Sequence, residues 1–288
     1  MKYLYYPGCS LKSSGKSYEE SLLSVFKKLN VPIEEINDWN CCGATNYMSI
    51  NEDNAIVLTA RNLALAEKQD KGAHIIAPCS ACFMGLLKTQ NYLENEPATK
   101  ESVFQSLKKI GLNFENTVKV RHPLDVLTND IGLDAIRDSV FEPLKGLKVV
   151  SYYGCQLVRP YSPFDDARDP HTMDDIVKAL GAEPVDWSLK TRCCGGSMTS
   201  TISDIGFRLN FLLLKEAKIR KADVIITSCP LCQFNLECFQ EKISKKFGED
   251  VKIPVMYFTQ LMGLAFGINE KEIGLQRTLS PELSLVKN

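Results

Sequence analysis

No stretch of this chain approaches the roughly 20 consecutive apolar residues needed to span a bilayer, and its start, Met1-Lys2-Tyr3-Leu4, runs straight into a strand-like segment. That start lacks the apolar region and small-residue cleavage site of a secretory leader. An excess of one charge is also lacking: 34 basic against 35 acidic residues leave a formal net charge of −1. This gives no electrostatic case for nucleic acid or a membrane surface as partner. Histidine is scarce, and His74, His122 and His171 are too scattered to build a metal site; His74, just before a strand, reads as structural. Three motifs are absent as well: a Cys-x-x-Cys-x-x-Cys-x-x-x-Cys-Pro ferredoxin run, a G-x-G-x-x-G turn and a P-loop. The chain therefore has no evident means of collecting electrons from a flavin or nucleotide by itself. The expectation is a cytoplasmic protein with no membrane span.

Cysteine, in contrast, is abundant. A chain of 288 residues with 44% hydrophobic and 24% charged content can build a conventional core, yet it carries eleven cysteines. Disulfides staple small secreted domains that lack such a core. Clustered thiols in a reducing compartment more often hold metal or do redox chemistry.

The cysteines recur in two copies of one pattern. Tyr5-Tyr6-Pro7-Gly8-Cys9 opens the first and Tyr152-Tyr153-Gly154-Cys155 the second, each an apolar run delivering a cysteine beside a turn-forming glycine. Helical spacing follows in both: Tyr18, Leu22, Phe26 and Leu29 share one face, and Met173 to Leu180 end at Gly181. Short strands near Pro32-Ile33 and Pro184-Val185 lead past Trp39 and Trp187 to Cys41-Cys42-Gly43 and Cys193-Cys194-Gly195. Amphipathic helices come next, with Ile56, Ala60 and Leu63 expected on one face in the first copy and Ile205, Leu209, Leu212 and Leu213 in the second. Then Ile75-Ile76-Ala77-Pro78-Cys79-Ser80-Ala81-Cys82 matches Ile225-Ile226-Thr227-Ser228-Cys229-Pro230-Leu231-Cys232. Each copy closes on a strand–helix pair, Val118–Val120 before Leu124–Leu127 and Val251–Ile253 before Leu261–Phe266.

Alternating strands and helices predict an α/β fold of two pseudo-symmetric, Rossmann-like, cysteine-rich halves with parallel sheets. The cysteines then fall at strand C-termini, where open α/β sheets bind ligands. The halves are expected to divide into domains 1–142 and 143–288, joined near Phe141–Leu147 where Pro143 and Gly146 break the pattern. Residues 276–288 show little periodicity and form a tail.

Copy one spaces its thiols as Cys9, 31 residues, Cys41-Cys42, 36 residues, Cys79-x-x-Cys82; copy two as Cys155, 37 residues, Cys193-Cys194, 34 residues, Cys229-x-x-Cys232. Five thiolates exceed the four of a tetrahedral zinc and of a cubane iron–sulfur cluster. Either one cysteine is spare or the bound group is larger. Soft thiolates without supporting histidines favour iron–sulfur over zinc, although spacing alone does not name the metal. Cys238 is left over and reads as a small half-hidden hydrophobe.

This doubled Cys-x(31–39)-Cys-Cys-x(34–36)-Cys-x-x-Cys arrangement, covering Tyr5 to about Gly267, resembles the B subunit of heterodisulfide reductase. The resemblance implies two noncubane iron–sulfur clusters, one on Cys9, Cys41, Cys42, Cys79 and Cys82 and the other on Cys155, Cys193, Cys194, Cys229 and Cys232. It implies a catalytic subunit that cleaves the coenzyme M–coenzyme B mixed disulfide between the two clusters, as in methanogenesis. It also implies two partners, a ferredoxin-like C subunit together with a flavin-containing A subunit, with a hydrogenase or formate dehydrogenase attached in some such complexes. Relatives in thiol–fumarate, lactate and glycolate systems make electron transfer within another oxidoreductase the alternative, as is reduction of a different disulfide; a zinc-binding scaffold is the remaining one. An anionic substrate asks for nearby cations, and Lys12, Arg159 and Arg192 lie close in sequence to cluster cysteines. The segment Arg159–Phe164, continuing to His171, has no counterpart after Cys9 and is expected to be an ordered loop that shapes the substrate pocket, with His171 a candidate proton donor.

Overall fold

The computed structural model describes residues 2–44 and 46–279. The first copy runs β1 (Tyr3–Tyr5), α1 (Gly8–Leu11), α2 (Lys16–Lys28), β2 (Ile33–Glu35), α3 (Asn46–Ile50), α4 (Glu52–Gln69), β3 (His74–Ile76), α5 (Ser80–Asn95), α6 (Pro97–Lys109), β4 (Lys119–Arg121), α7 (Pro123–Asp125) and α8 (Leu133–Asp138). The second runs β5 (Lys148–Tyr152), α9 (Thr172–Ala179), β6 (Glu183–Pro184), α10 (Ser203–Ile219), β7 (Val224–Thr227), α11 (Pro230–Cys238), α12 (Gln240–Phe247), β8 (Val255–Tyr257) and α13 (Phe258–Ala265).

Each copy makes its own all-parallel four-stranded sheet, in the orders β2-β1-β3-β4 and β6-β5-β7-β8. The central strands are buried along their length, Tyr3 to Tyr5 in one sheet and Val224 to Thr227 in the other. That is why they read as continuous apolar runs rather than alternating ones. The α/β reading of two parallel-sheet halves thus describes the protein.

By packing, the chain falls into two compact units: residues up to Lys12 with Val31–Pro123, and Ser13–Asn30 with Leu124 onward. The helix after Cys9, α2, therefore belongs to the second unit. There Tyr18 stacks on Tyr257 with ring centroids 4.3 Å apart, and the Ser21 and Thr259 hydroxyls meet at 2.6 Å. Tyr18, Leu22 and Phe26 are fully buried, worth roughly 1.5–3 kcal/mol each as area removed from water. Periodicity finds this face of α2; it cannot say which sheet the face covers.

Two expectations from periodicity are corrected. On α10, Ile205 and Leu212 are 46% and 41% exposed, and the buried face is instead Gly206, Asn210, Phe211, Leu213, Leu214 and Ala217. The cause is Gly206: a Cβ built on Gly195 would come within 2.9 Å of its Cα, so the helix approaches the Cys-Cys-Gly turn through its bare backbone. The last strand begins at Val255, not Val251. Residues 251–253 are buried but held by the Gln240 side chain, which receives the Ile253 N–H and donates to its carbonyl, each at 2.9 Å. Of the tail, residues 276–279 are described and Arg277 forks onto Glu20 at 2.8 and 2.9 Å; 280–288 lie outside the described residues.

Candidate metal centre

The chain leaves β1 for β2 on one side and returns to β3 on the other, so β1 and β3 flank a topological switch point, as do β5 and β7. Cys9 follows β1 in the first turn of α1, and Cys79 follows β3 as the N-cap of α5, with Cys82 in that helix's first turn. Cys155 follows β5, and Cys229 caps α11 with Cys232 in its first turn. Helix N-termini favour thiolate over thiol there. The Cys-Cys pairs arrive on the loops after β2 and β6.

In the N-terminal nest, the Cys9 and Cys41 sulfurs lie 3.8 Å apart and those of Cys42 and Cys82 3.4 Å. Hydrogen bonds from Cys41 to Cys42 and between Cys79 and Cys82 complete a chain of five thiols. Cys9 and Cys41 are exposed while the other three are buried, so the nest opens to solvent on one side. The C-terminal nest repeats this. Cys194 and Cys232 are 3.6 Å apart, Cys155 bonds Cys193, and Cys229 bonds Cys232. Backbone N–H groups point at the sulfurs: Ala44 at Cys42 (3.4 Å), Gly195 at Cys193 (3.3 Å) and Gly196 at Cys194 (3.3 Å).

Two supports recur that sequence reading missed. The Tyr6 hydroxyl donates to the carbonyl of Asn40 at 2.7 Å, and the Tyr152 hydroxyl to that of Arg192 at 2.6 Å. In each copy, then, a tyrosine near the end of the first strand holds the peptide just before the Cys-Cys pair. The signal was present, since both stand three residues before the opening cysteine, but their partners are tens of residues away. The intervening glycines are required: Gly8 and Gly154 sit at φ +67° and +71°, and a Cβ on Gly8 would meet the Cys82 sulfur at 2.7 Å.

Crowded thiols cannot all ionise. In the first nest Cys42 is held well below the ordinary thiol range by hydrogen bonds from Cys41 and Cys82, and Cys82 is driven up by Cys42, Cys79 and burial. In the second, Cys193 falls to about 6 through the Cys155 hydrogen bond, helped by the Gly195 N–H and the Arg159 charge. Cys155 rises correspondingly. Each nest thus keeps protons that a bound cation would expel.

The sulfur contacts are those of packed free thiols, and among the described residues no group of three or more His, Cys, Asp or Glu is arranged to hold a single metal ion. The donor set nevertheless fits a cluster of several irons: five soft ligands, no histidine, inward N–H donors and glycines where a side chain would intrude. Lone-ion zinc chemistry has no such arrangement here to rest on.

The other candidates are placed as follows. Lys12 is tied to Glu35 at 2.7 Å. The exposed Arg159 donates to the Thr191 carbonyl, two residues before Cys193; Arg192 is also exposed. His171 is exposed and lies 3.3 Å from the Asp169 carboxylate. The loop from Arg159 to His171 is ordered around Asp165, whose carboxylate receives the N–H groups of Asp166, His171 and Thr172. Cys238 is half-buried away from both nests' sulfur chains, its thiol pushed up to about 11 by burial. His122 is fully buried, with Nε2 3.1 Å from the Pro78 carbonyl, and His74 faces Arg121. A second missed residue is Lys190, only 4% exposed.

Fold and site together define a duplicated α/β protein that gathers five thiols at each of two switch points. The chain belongs to the cysteine-rich domain family (CCG), which matches residues 3–87 and 149–237. This family includes the B subunit of heterodisulfide reductase, and its members are iron–sulfur oxidoreductases. The chain is 30% identical to the 8-methylmenaquinol:fumarate reductase membrane anchor subunit of Wolinella succinogenes, covering 96% of each chain. It is also 30% identical to the B subunit of the ferredoxin/F420H2-dependent CoB-CoM heterodisulfide reductase of Methanosarcina acetivorans, covering 94% of this chain and 91% of the relative. A crystal structure of a hypothetical protein from Helicobacter pylori shares the fold at TM-score 0.76 and 15% identity, matching 98% of this chain and 52% of the other. Among the described residues no helix is long and apolar enough to cross a membrane.

Proposed function

We propose that this chain is the catalytic subunit of a heterodisulfide-reductase-type complex in the cytoplasm, reducing the coenzyme M–coenzyme B disulfide to two thiols. The observation that carries this reading is that both nests keep all five cysteines, each set gathered within one compact unit. Cys9, Cys41, Cys42, Cys79 and Cys82 would hold one noncubane iron–sulfur cluster, and Cys155, Cys193, Cys194, Cys229 and Cys232 the other. Bound there, such clusters supply single electrons to a sulfur–sulfur bond. One disulfide, two electrons and two protons give two thiols. The N–H groups of Ala44, Gly195 and Gly196 orient the ligand sulfurs. Arg159 and Arg192 stand beside the C-terminal nest as cations for an anionic half of the substrate, whereas Lys12 is neutralised by Glu35. His171 is the candidate proton donor. Electrons come from a ferredoxin-like C subunit, itself fed by a flavin-containing A subunit, in some assemblies from a hydrogenase or formate dehydrogenase.

The test is anaerobic purification with iron and sulfide analysis, then electron paramagnetic resonance of the chain mixed with the disulfide. A substrate-dependent signal supports the proposal. A colourless protein without iron or sulfide would sink it, as would Cys41→Ala or Cys193→Ala retaining full cluster content and turnover. The fumarate reductase relative supports a second reading, an electron-transfer subunit of another oxidoreductase. Intact clusters with no substrate-dependent signal would favour that one.

A further inference from the structure

Copy two carries the loop from Arg159 to His171 that copy one lacks, and both ends of this loop are fastened to two consecutive residues. At its start the Arg159 guanidinium donates to the Thr191 carbonyl. At its end the Lys190 ammonium meets the Asp169 carboxylate at 2.9 Å and the Pro170 carbonyl at 3.3 Å. The same ammonium reaches Asp174 on α9 and Asp186, each at 3.5 Å. Lys190 also works through its backbone: its carbonyl accepts the N–H groups of Tyr153 and Gly154 at 2.9 and 3.1 Å, the two residues that deliver Cys155. Three residues further along the chain is Cys193.

A lysine buried to this degree persists only where ion pairs and hydrogen bonds replace its lost water. This one spends its contacts on three separate segments. At the corresponding place in copy one, three residues before the Cys-Cys pair, stands Asp38, which pairs with Arg61 and is exposed. The buried anchor and the extra loop therefore occur together, and only at the C-terminal nest.

We propose that Lys190 is a positioning residue that couples the 159–171 loop to Cys155 and Cys193, so that an anionic group held by the loop alters the C-terminal centre and leaves the N-terminal one unaffected. The coupling rests on the function proposed above for its consequence in turnover, but its mechanical part does not. A ligand drawing on Arg159 pulls at the Thr191 carbonyl, and one displacing Asp169 pulls at the Lys190 ammonium. Either strain reaches the peptide that fixes the Cys155 turn.

The test compares the full-length chain with Lys190→Met, Lys190→Arg and the double variant Lys190→Met/Asp174→Asn, which removes the carboxylate that the first substitution strands. Amide exchange across 159–171 is expected to quicken by about tenfold or more in both Met variants. In redox titrations followed by paramagnetic resonance, one of the two cluster signals should shift in potential while the other keeps its wild-type value, and Lys190→Arg should restore both readings. Unchanged loop exchange overturns the proposal, as do cluster signals that move together or not at all. A wild-type chain without iron and sulfide would instead defeat the proposed function. Alkylation of Cys155 and Cys193 in the iron-free chain, expected to accelerate in the Met variants against unchanged Cys9 and Cys41, would then decide the role of Lys190 independently.

Discussion

The hydroxyl of Tyr152 donates to the backbone carbonyl of Arg192 at 2.6 Å, directly beneath the thiols of the C-terminal nest. Because Tyr6 makes the same bond to Asn40 in the first copy, each tyrosine can be removed while the other serves as an internal control. Tyr152→Phe leaves the ring packed on Trp187 and deletes only the hydrogen bond, costing about 1 kcal/mol. The expected outcome is a melting point lower by roughly 2–4 °C and weaker iron retention in one nest. Tyr6→Phe should do the same to the other nest, as chelator-challenge kinetics on the two single variants would show. Loss from both nests in either variant would count against a local role.

Gly8 and Gly154 occupy equivalent turns but not equivalent spaces. A Cβ would approach the Cys82 sulfur to 2.7 Å at Gly8 and the Cys232 sulfur to 3.2 Å at Gly154. Both substitutions to Ala carry left-handed backbone strain of about 1–2 kcal/mol, and only Gly8→Ala adds a forced displacement of a buried sulfur. Iron and sulfide per chain should fall by about half in Gly8→Ala and by less in Gly154→Ala. Equal losses would show that strain alone matters.

His122 supplies a pH dependence. Burial lowers its folded-state value from 6.5 to about 3, the Pro78 carbonyl opposing only in part. The unfolded chain therefore binds a proton that the folded chain refuses, and stability is lost as pH falls below 6.5, down to about 3. The loss reaches about 2 kcal/mol by pH 5. Denaturant midpoints measured from pH 7 to pH 5 should decline in the wild type and decline less in His122→Gln. Parallel declines would mean that other groups dominate acid sensitivity.

Arg159 should reveal itself in the kinetics of an anionic disulfide. Losing a charge-assisted contact of about 1.5 kcal/mol or more corresponds to roughly a tenfold rise in KM, expected for Arg159→Ala with kcat less affected. His171→Ala, if the imidazole supplies a proton, should instead lower kcat. Were both variants to turn over the disulfide as the wild type does, the 159–171 loop would have no place in the active site.

The doubling of the chain, the five thiols of each copy and the parallel α/β order were all legible in the residues. Strands such as Ile225-Ile226 and ligand pairs such as Cys41-Cys42 are local facts of identity and spacing, and thiolate chemistry leaves few readings of them. What stayed hidden was non-local. That Tyr18 would bury itself against Tyr257, that Tyr6 and Tyr152 would brace peptides far along the chain, and that Lys190 would tie down a loop end are pairings across many residues. No period encodes them. On α10, an apolar stripe at regular spacing pointed to the wrong face, because Gly206 lets the backbone itself come closest to the Cys-Cys-Gly turn. Sequence determined which atoms are available to hold a metal. Only tertiary packing decided how they are gathered, because a hydrogen bond or close backbone approach depends on where distant segments meet.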